Sequence, residues 1–275
     1  MAKSALVHFP PLLLLALRFV LTALVLVWFF RPPWAYLKRI FWAALVGSTL
    51  MYSLMFIGLK QIDASLMIIV VQLQVPFASI LAWFAFKDRL GWSRFAGVVL
   101  AFVGVGLIAG SPEERSELLG VMLVIMGAFV WAIGQMLFKR LASIGGLPLI
   151  TWVAVMSGPQ LLLCSWLFED DQLLALSTAT PNHWLAVAYL VLAMTVLGYG
   201  SWYFLLGRYD VNQVVPFLFL EPVATVLGGV LILSETLTTT RLLGGALVMG
   251  GVALITLLTE TRKERGVKSA RDSNL

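Results

Sequence analysis

Polar positions along this chain of 275 residues are confined to short breaks between long apolar runs. A helix needs about 20 mostly apolar residues to cross the hydrocarbon core of a bilayer. Runs of that kind cover Pro11–Phe30, Ile40–Leu59, Ser65–Phe86, Ser93–Ala109, Leu118–Phe138, Leu147–Phe168, His183–Leu206, Val214–Leu233 and Leu242–Leu258. The pattern therefore predicts about nine transmembrane helices and an all-α integral membrane fold. The breaks hold the Pro, Gly and charged residues of turns, as at Arg31-Pro32-Pro33 and Ser111-Pro112-Glu113. No break is long enough for a soluble domain. The polar tail from Thr259 to Leu275 is expected to be disordered.

Composition strengthens this picture. The chain is 60% hydrophobic and 12% charged, with a mean hydropathy of +0.95. Soluble domains run near 45–50% apolar and about 25% charged, so this surface belongs in lipid. One cysteine, Cys164, and two histidines, His8 and His183, leave no disulfide framework and no zinc cluster. Cys–His and Ser–His nucleophile pairs are disfavoured for the same reason, and no bound cofactor is expected. Cys164 reads as a packed thiol and His183 as an interfacial helix cap.

The net charge of +5 is distributed by side rather than as a nucleic-acid footprint. Loops alternate between the two faces. Arg31, Lys38, Arg39, Lys87, Arg89, Arg94, Lys139, Arg140, Arg208 and the five basic residues of the tail fall on one of them. Lys3, Lys60, Arg115 and Arg241 fall on the other, with the acidic runs Glu113-Glu114 and Glu169-Asp170-Asp171. Positive-inside bias then predicts a cytoplasmic C-terminus in a multi-pass protein of the plasma (inner) membrane. Nine spans place the N-terminus outside. Met1–Val7 is apolar but too short to cross, and reads either as the tail of an earlier span or as a short leader.

An internal repeat organises the chain. Asp88, Leu90, Arg94, Gly97 and Gly104 recur as Glu235, Leu237, Arg241, Gly244 and Gly251, each 147 residues further on. Asp63 and Asp210 keep the same offset, as do Gln74 and Glu221, while Pro76 and Pro222 miss it by one. A repeat unit of five spans is odd, so its copies must lie inverted in the membrane. Inverted repeats are the construction of many secondary transporters, with the substrate site near the midplane. The units are expected over 1–110 and 118–258, with 259–275 as the tail. Only four spans fall in the first copy, which favours the reading of Met1–Val7 as the end of a missing one.

The chain resembles the EamA-domain branch of the drug/metabolite transporter superfamily over essentially its whole length. The likeness rests on Pro10-Pro11, Ala16-Leu17-Arg18-Phe19, Phe86-Lys87-Asp88-Arg89-Leu90, Gly198-Tyr199-Gly200, Glu221-Pro222-Val223-Ala224 and Ser234-Glu235-Thr236-Leu237. The stretch from Gly198-Tyr199-Gly200 to Leu206-Gly207-Arg208-Tyr209 is most similar to exporters of O-acetylserine and cysteine. The resemblance implies ten helices in two inverted five-helix repeats and export of amino acids or other small metabolites. This sequence departs from it by lacking most of the first helix.

Ionisable residues inside a span are costly and mark pathways or paired sites. Two qualify, Arg18 and Glu221. Glu221 precedes Pro222, which removes an amide donor and frees the carbonyl of Leu218. That carboxylate is read as a site for a substrate ammonium or a coupling proton, or as a structural group that neutralises or pairs. Arg18 has three readings: snorkelling, anchoring a substrate carboxylate, or pairing with Glu221. Gln72 and Gln74, before Pro76, form the first-copy counterpart and either line a wet cavity or join helices. Pro76 and Pro222 are candidate hinges. Tyr52, Trp131, Gln135, Tyr199 and Tyr203 are candidates to line a path for small polar metabolites, with packing as the alternative for each aromatic. The favoured reading is a secondary exporter working by alternating access. The alternatives are an inactive or non-transporting membrane protein and, less favoured, an integral-membrane enzyme.

Overall fold

A computed structural model describes residues 2–86, 91–111, 117–206, 208–209 and 220–272, without the side chains of residues 85, 86, 203, 206 and 257–272. The helices are α1 Ala2–Leu6, α2 Pro11–Leu26, α3 Leu37–Ala44, α4 Met51–Gln61, α5 Ala64–Val71, α6 Gln74–Phe86, α7 Trp92–Ala109, α8 Leu118–Lys139 and α9 Gly146–Phe168. They continue with α10 Gln172–Ser177, α11 Pro181–Ala188, α12 Gly198–Leu206, α13 Leu220–Leu233 and α14 Thr239–Asp272. Among the described residues eight helical segments are long and apolar enough to cross a membrane, and α13 is a shorter apolar one. The protein is an all-α, multi-pass membrane protein.

Several spans are not single α-helices. π-helical turns over Leu45–Leu50 join α3 to α4, and others over Tyr189–Leu197 join α11 to α12. The two wide segments correspond under the offset of 147. The third span breaks between α5 and α6 because Pro76 has no amide for the Gln72 carbonyl and crowds it. Tighter bonds close the gap, from the amides of Gln72, Leu73 and Val75 to the carbonyls of Ile69, Val70 and Gln72. Pro76 and Pro222 each stand third in their helix, α6 and α13.

One expectation is corrected. The tail does not lose helical structure at Thr259, since α14 runs on to Asp272. The sequence allows this: strong helix formers dominate, and Glu264 precedes Lys268 by four residues, the spacing that supports a helix.

Glycines bring α7 and α14 into close contact, and the contact is its own image under the offset. A Cβ on Gly97 would stand 2.7 Å from the Gly251 carbonyl oxygen, and one on Gly104 would stand 2.6 Å from that of Gly244. Ile255 packs on Gly97 as Ile108 packs on Gly244, and Val248 on Gly104 as Ala101 on Gly251. Contacts that exchange partners in this way require a two-fold relation between antiparallel helices. Small residues let backbones approach and gain dispersion in lipid, where no hydrophobic force joins helices. At the other end of the bundle α2 packs on α9, with Val20 against Gly158. α8 lies on the first π segment, where Gly134 meets Gly47.

The outer surface is apolar and carries exposed aromatics near both faces. Trp28, Trp34 and Trp92 lie at the face with the basic loops, and Trp166, Phe168 and Trp184 at the opposite one. Rings at these depths form the aromatic belts of a membrane protein.

Candidate functional site

Charges on the basic-poor face are gathered rather than scattered. Lys3 on α1 binds the Asp63 carboxylate at 2.8 Å and lies 3.5 Å from Glu235. Arg241, in the first turn of α14, donates to the other Asp63 oxygen at 2.6 Å and to Glu117 at 3.4 Å. Glu235 is placed by the end of α13, where Ser234 adopts a left-handed φ of 56° and the Glu235 amide closes on the Gly229 carbonyl. Its carboxylate then accepts from the Ala64 and Ser65 amides at 2.8 and 2.9 Å, neutralising the N-terminal end of α5. A Cβ at Gly229 would collide with that carboxylate. Glu169 serves α2 in the same way, accepting from Leu12 and Leu13 at 2.7 and 2.9 Å.

Burial alone would raise the Asp63 pKa, but hydrogen bonds and charge from Lys3 and Arg241 outweigh it and hold the carboxyl below its ordinary value. For Glu235 burial again opposes, and the bonds from Ser65 and Ala64 again win, so its pKa is also lowered. Both groups stay ionised at neutral pH, and the cluster of three carboxylates and two cations ties α1, α5, α8, α13 and α14 together at this face.

A cavity of about 390 Å³ lies in the other half of the bundle, among α6, α7 and α8. Gln74, Ser79 and Trp83 line it from α6, Arg94 from α7, and Trp131 and Gln135 from α8. Gln74 opens α6, and the others stand in the later parts of α6 and α8 and the first turn of α7, toward the end of the bundle that carries the basic loops. A second, shallower depression of about 380 Å³ lies between the loop 29–36 and residues 143–148 at that same face. Only the first holds amide, hydroxyl, indole and guanidinium groups together.

Among the described residues, rings and apolar side chains pack beside the cavity. The Trp131 ring meets Tyr52 edge-on at 6.3 Å, and Tyr52 meets Phe56 at 6.2 Å. Beyond them Phe56, Leu59 and residues 12–16 of α2 form a buried apolar plug. Tyr52 shares a hydrogen bond of 3.1 Å with Tyr199, the residue 147 positions on, so the two-fold relation passes through this pair.

Arg18 sits beside it and is 1% exposed. Its guanidinium carbon lies 5.0 Å from the Tyr52 ring centroid and 5.6 Å from that of Phe19. Nε donates to the Thr195 hydroxyl at 3.0 Å, and that hydroxyl donates to the Leu190 carbonyl at 2.8 Å, across the second π segment. Insertion scales put a mid-bilayer Arg at about 3 kcal/mol, and a desolvated cation–π contact returns about 2 kcal/mol. Ring and hydroxyl thus make the charge tolerable. They leave Nη1 buried and without an acceptor among the described residues.

The other predicted residues fall as follows. Gln74, Trp131 and Gln135 line the cavity, and Tyr52 backs it. Gln72 is buried at the α5–α6 break, outside the cavity lining. Glu221 stands second in α13 on an exposed flank, with no ion pair or hydrogen bond among the described residues and no contact with Arg18. A carboxylate in the first turn complements the helix dipole, which gives its structural reading a physical basis. The side chain of Tyr203, and Leu218, Asp88 and Asp210, lie outside the described residues. His183 is the expected cap, accepting from the Thr180 amide at 3.1 Å, and Cys164 packs against the apolar core. The sequence offered none of Lys3, Glu117, Ser79, Trp83, Asp63, Arg94, Glu235 or Arg241 as a site residue, and marked Lys3, Asp63, Arg94, Glu235 and Arg241 only through the repeat, the charge of the two faces or the family likeness. The recurrence of charged residues in one register was the signal available.

The profile of the EamA-like transporter family matches residues 1–110 and 118–257. The chain belongs to that family. It is 34% identical over 259 residues to a protein of Salmonella typhimurium named "Probable amino-acid metabolite efflux pump", covering 91% of this chain and 87% of that one. An Escherichia coli protein of the same name is 32% identical over the same shares of both chains. A solved structure titled "Crystal structure of protein" superposes with a TM-score of 0.63 at 21% identity, covering 94% of this chain and 91% of that one, and supports the fold alone. Family membership marks the protein as an EamA-like transporter.

Proposed function

We propose that the protein exports small amino acids or their derivatives, of the cysteine and O-acetylserine kind, by alternating access between its two repeats. The observation that carries this reading is the pairing of a mostly apolar cavity that presents Gln74, Ser79, Arg94 and Gln135 toward one face with an ionic cluster and apolar plug toward the other. Such a conformation admits a small metabolite from one side only. Positive-inside bias assigns the basic-loop face, with the C-terminus, to the cytoplasm of the plasma (inner) membrane. The cavity then faces the cytoplasm and the Lys3–Asp63–Arg241 cluster seals the outside, the arrangement an exporter needs to load.

The two-fold relation supports the second half of the cycle. Under the offset of 147 the counterparts of Asp63 and Arg241 are Asp210 and Arg94, and Arg94 lines the cavity. Opening the ionic cluster while closing the cavity's own face carries the site from face to face, with Pro76 and Pro222 as hinges. Substrate is the partner expected within the lipid bilayer, with a coupling proton as the second, and no nucleic acid or cofactor is required. Counterflow of labelled amino acids in proteoliposomes tests the proposal. Saturable exchange of at least one amino acid or O-acetylated derivative is expected. Absence of exchange across the panel, in protein that is monodisperse and correctly inserted, would contradict it.

A further inference from the structure

We propose that Arg18 is the anchor for the carboxylate of the transported metabolite, reached from the cavity by parting of the Tyr52–Tyr199 pair. The proposal rests on the transport reading and names the chemical class of substrate: small molecules bearing a free carboxylate. Arginine is always charged and presents five donors in a planar fork suited to a carboxylate. Here a single bond, from Nε to Thr195, has a partner within the structure, and Nη1 is buried without one. A buried guanidinium that packs on two rings and lacks a carboxylate partner among the described residues is half of an ion pair. The mobile ligand supplies the other half.

Position supports the same assignment. Trp131 lines the cavity, Tyr52 touches Trp131, and Arg18 lies over Tyr52, so the tyrosine pair is the only ring layer between Trp131 and the guanidinium in this chain of contacts. The repeat also isolates Arg18. Its counterpart 147 residues on is Ser165, whose hydroxyl donates to Glu169, and the counterpart of Thr195 is Ser48. Packing is duplicated about the axis but the cation is not. A structural cation serving the fold would be needed in both halves. A single cation near a two-fold axis orients one asymmetric ligand.

The test compares free amino acids with their carboxamides, which keep size and ammonium group and lose the anion. Counterflow is measured for each pair in wild type, Arg18→Gln, Arg18→Lys and Thr195→Val. Wild type is expected to prefer acid over amide by about tenfold or more in apparent affinity, the size of a lost charge-assisted bond. Arg18→Gln should bring acid and amide within about twofold of each other, and Arg18→Lys should restore part of the preference. Thr195→Val, which keeps the charge and frees Nε, should weaken acid affinity several-fold without abolishing the preference. Equal exchange of acids and amides by wild type would overturn the anchor while leaving transport standing, and it needs no variant to fold. Retention of the wild-type preference by folded Arg18→Gln would do the same. Failure of every compound to exchange would reject the transport reading itself, and this one with it.

Discussion

The α7–α14 seam and the centre of the bundle obey different rules. At the seam each contact exchanges into another under the offset of 147, Gly97 with Gly251 and Gly104 with Gly244. At the centre the axis still passes through Tyr52 and Tyr199, but Arg18 beside them has Ser165 as its counterpart, and Gln74 has Glu221, so the chemistry is not copied. Duplication preserves what packing needs, since small residues must recur wherever helices cross closely. Chemistry that acts on one small asymmetric molecule has no need of a copy. A symmetric frame that carries a polar centre of lower symmetry is what a substrate-handling bundle requires.

The largest effect is expected from breaking the frame. Gly97→Leu places a branched side chain where even a Cβ meets the Gly251 carbonyl, and overpacking of that kind costs about 1–3 kcal/mol or more. Gly244→Leu is its image and should cost the same. Thermal unfolding in detergent should show both variants lowered by similar amounts, whereas a large loss at one site alone would deny the two-fold relation. At the centre, no such equivalence between halves is expected.

A smaller effect belongs to the ionic face. Asp63 and Glu235 have lowered pKa values in the folded protein. The stability they contribute is therefore present above their ordinary values and is lost as pH falls through the folded ones. Thermal stability should be flat from about pH 7 to 5 and fall below about pH 4. Asp63→Asn should lower the plateau and flatten the fall. An unchanged profile in that variant would show that Lys3 and Arg241 do not depend on this carboxylate.

The smallest structural effect is expected at Glu221. It is exposed and makes no bond among the described residues, so Glu221→Gln should leave the unfolding temperature within a degree or two of wild type, as for about 0.5 kcal/mol at a surface site. Its effect on transport separates the two readings of this residue. A proton- or ammonium-binding role predicts lost or uncoupled exchange with an altered pH profile. An intact rate with an intact pH profile would leave only the helix-dipole role.

Spans and duplication were legible because both are written in long-range pattern: apolar runs of membrane length, and charges and glycines in one register. The π segments were not, since Leu45–Leu50 and Tyr189–Leu197 are as apolar as their flanks and nothing in composition marks an extra residue per turn. The α5–α6 break was visible in Pro76. The cavity was partly legible, through Gln74, Trp131 and Gln135, because amides and indoles stand out against lipid-facing leucine. Lys3 and Glu117 were not, because each lies in a loop or short helix where charge is ordinary. Only the fold brings residues so distant in sequence as Lys3, Asp63, Glu117 and Arg241 to one point.

Alternating access makes one prediction that packing alone does not. In a Cys164→Ser background, Ser79→Cys places a single thiol in the cavity, where a membrane-impermeant maleimide can be applied from either face in oriented vesicles. The account predicts labelling from the basic-loop face in the resting protein. It also predicts a shift toward the opposite face when Asp63→Asn and Arg241→Gln together remove the ionic seal. Labelling of the resting protein from the cluster face, or a pattern indifferent to loss of that seal, would contradict it.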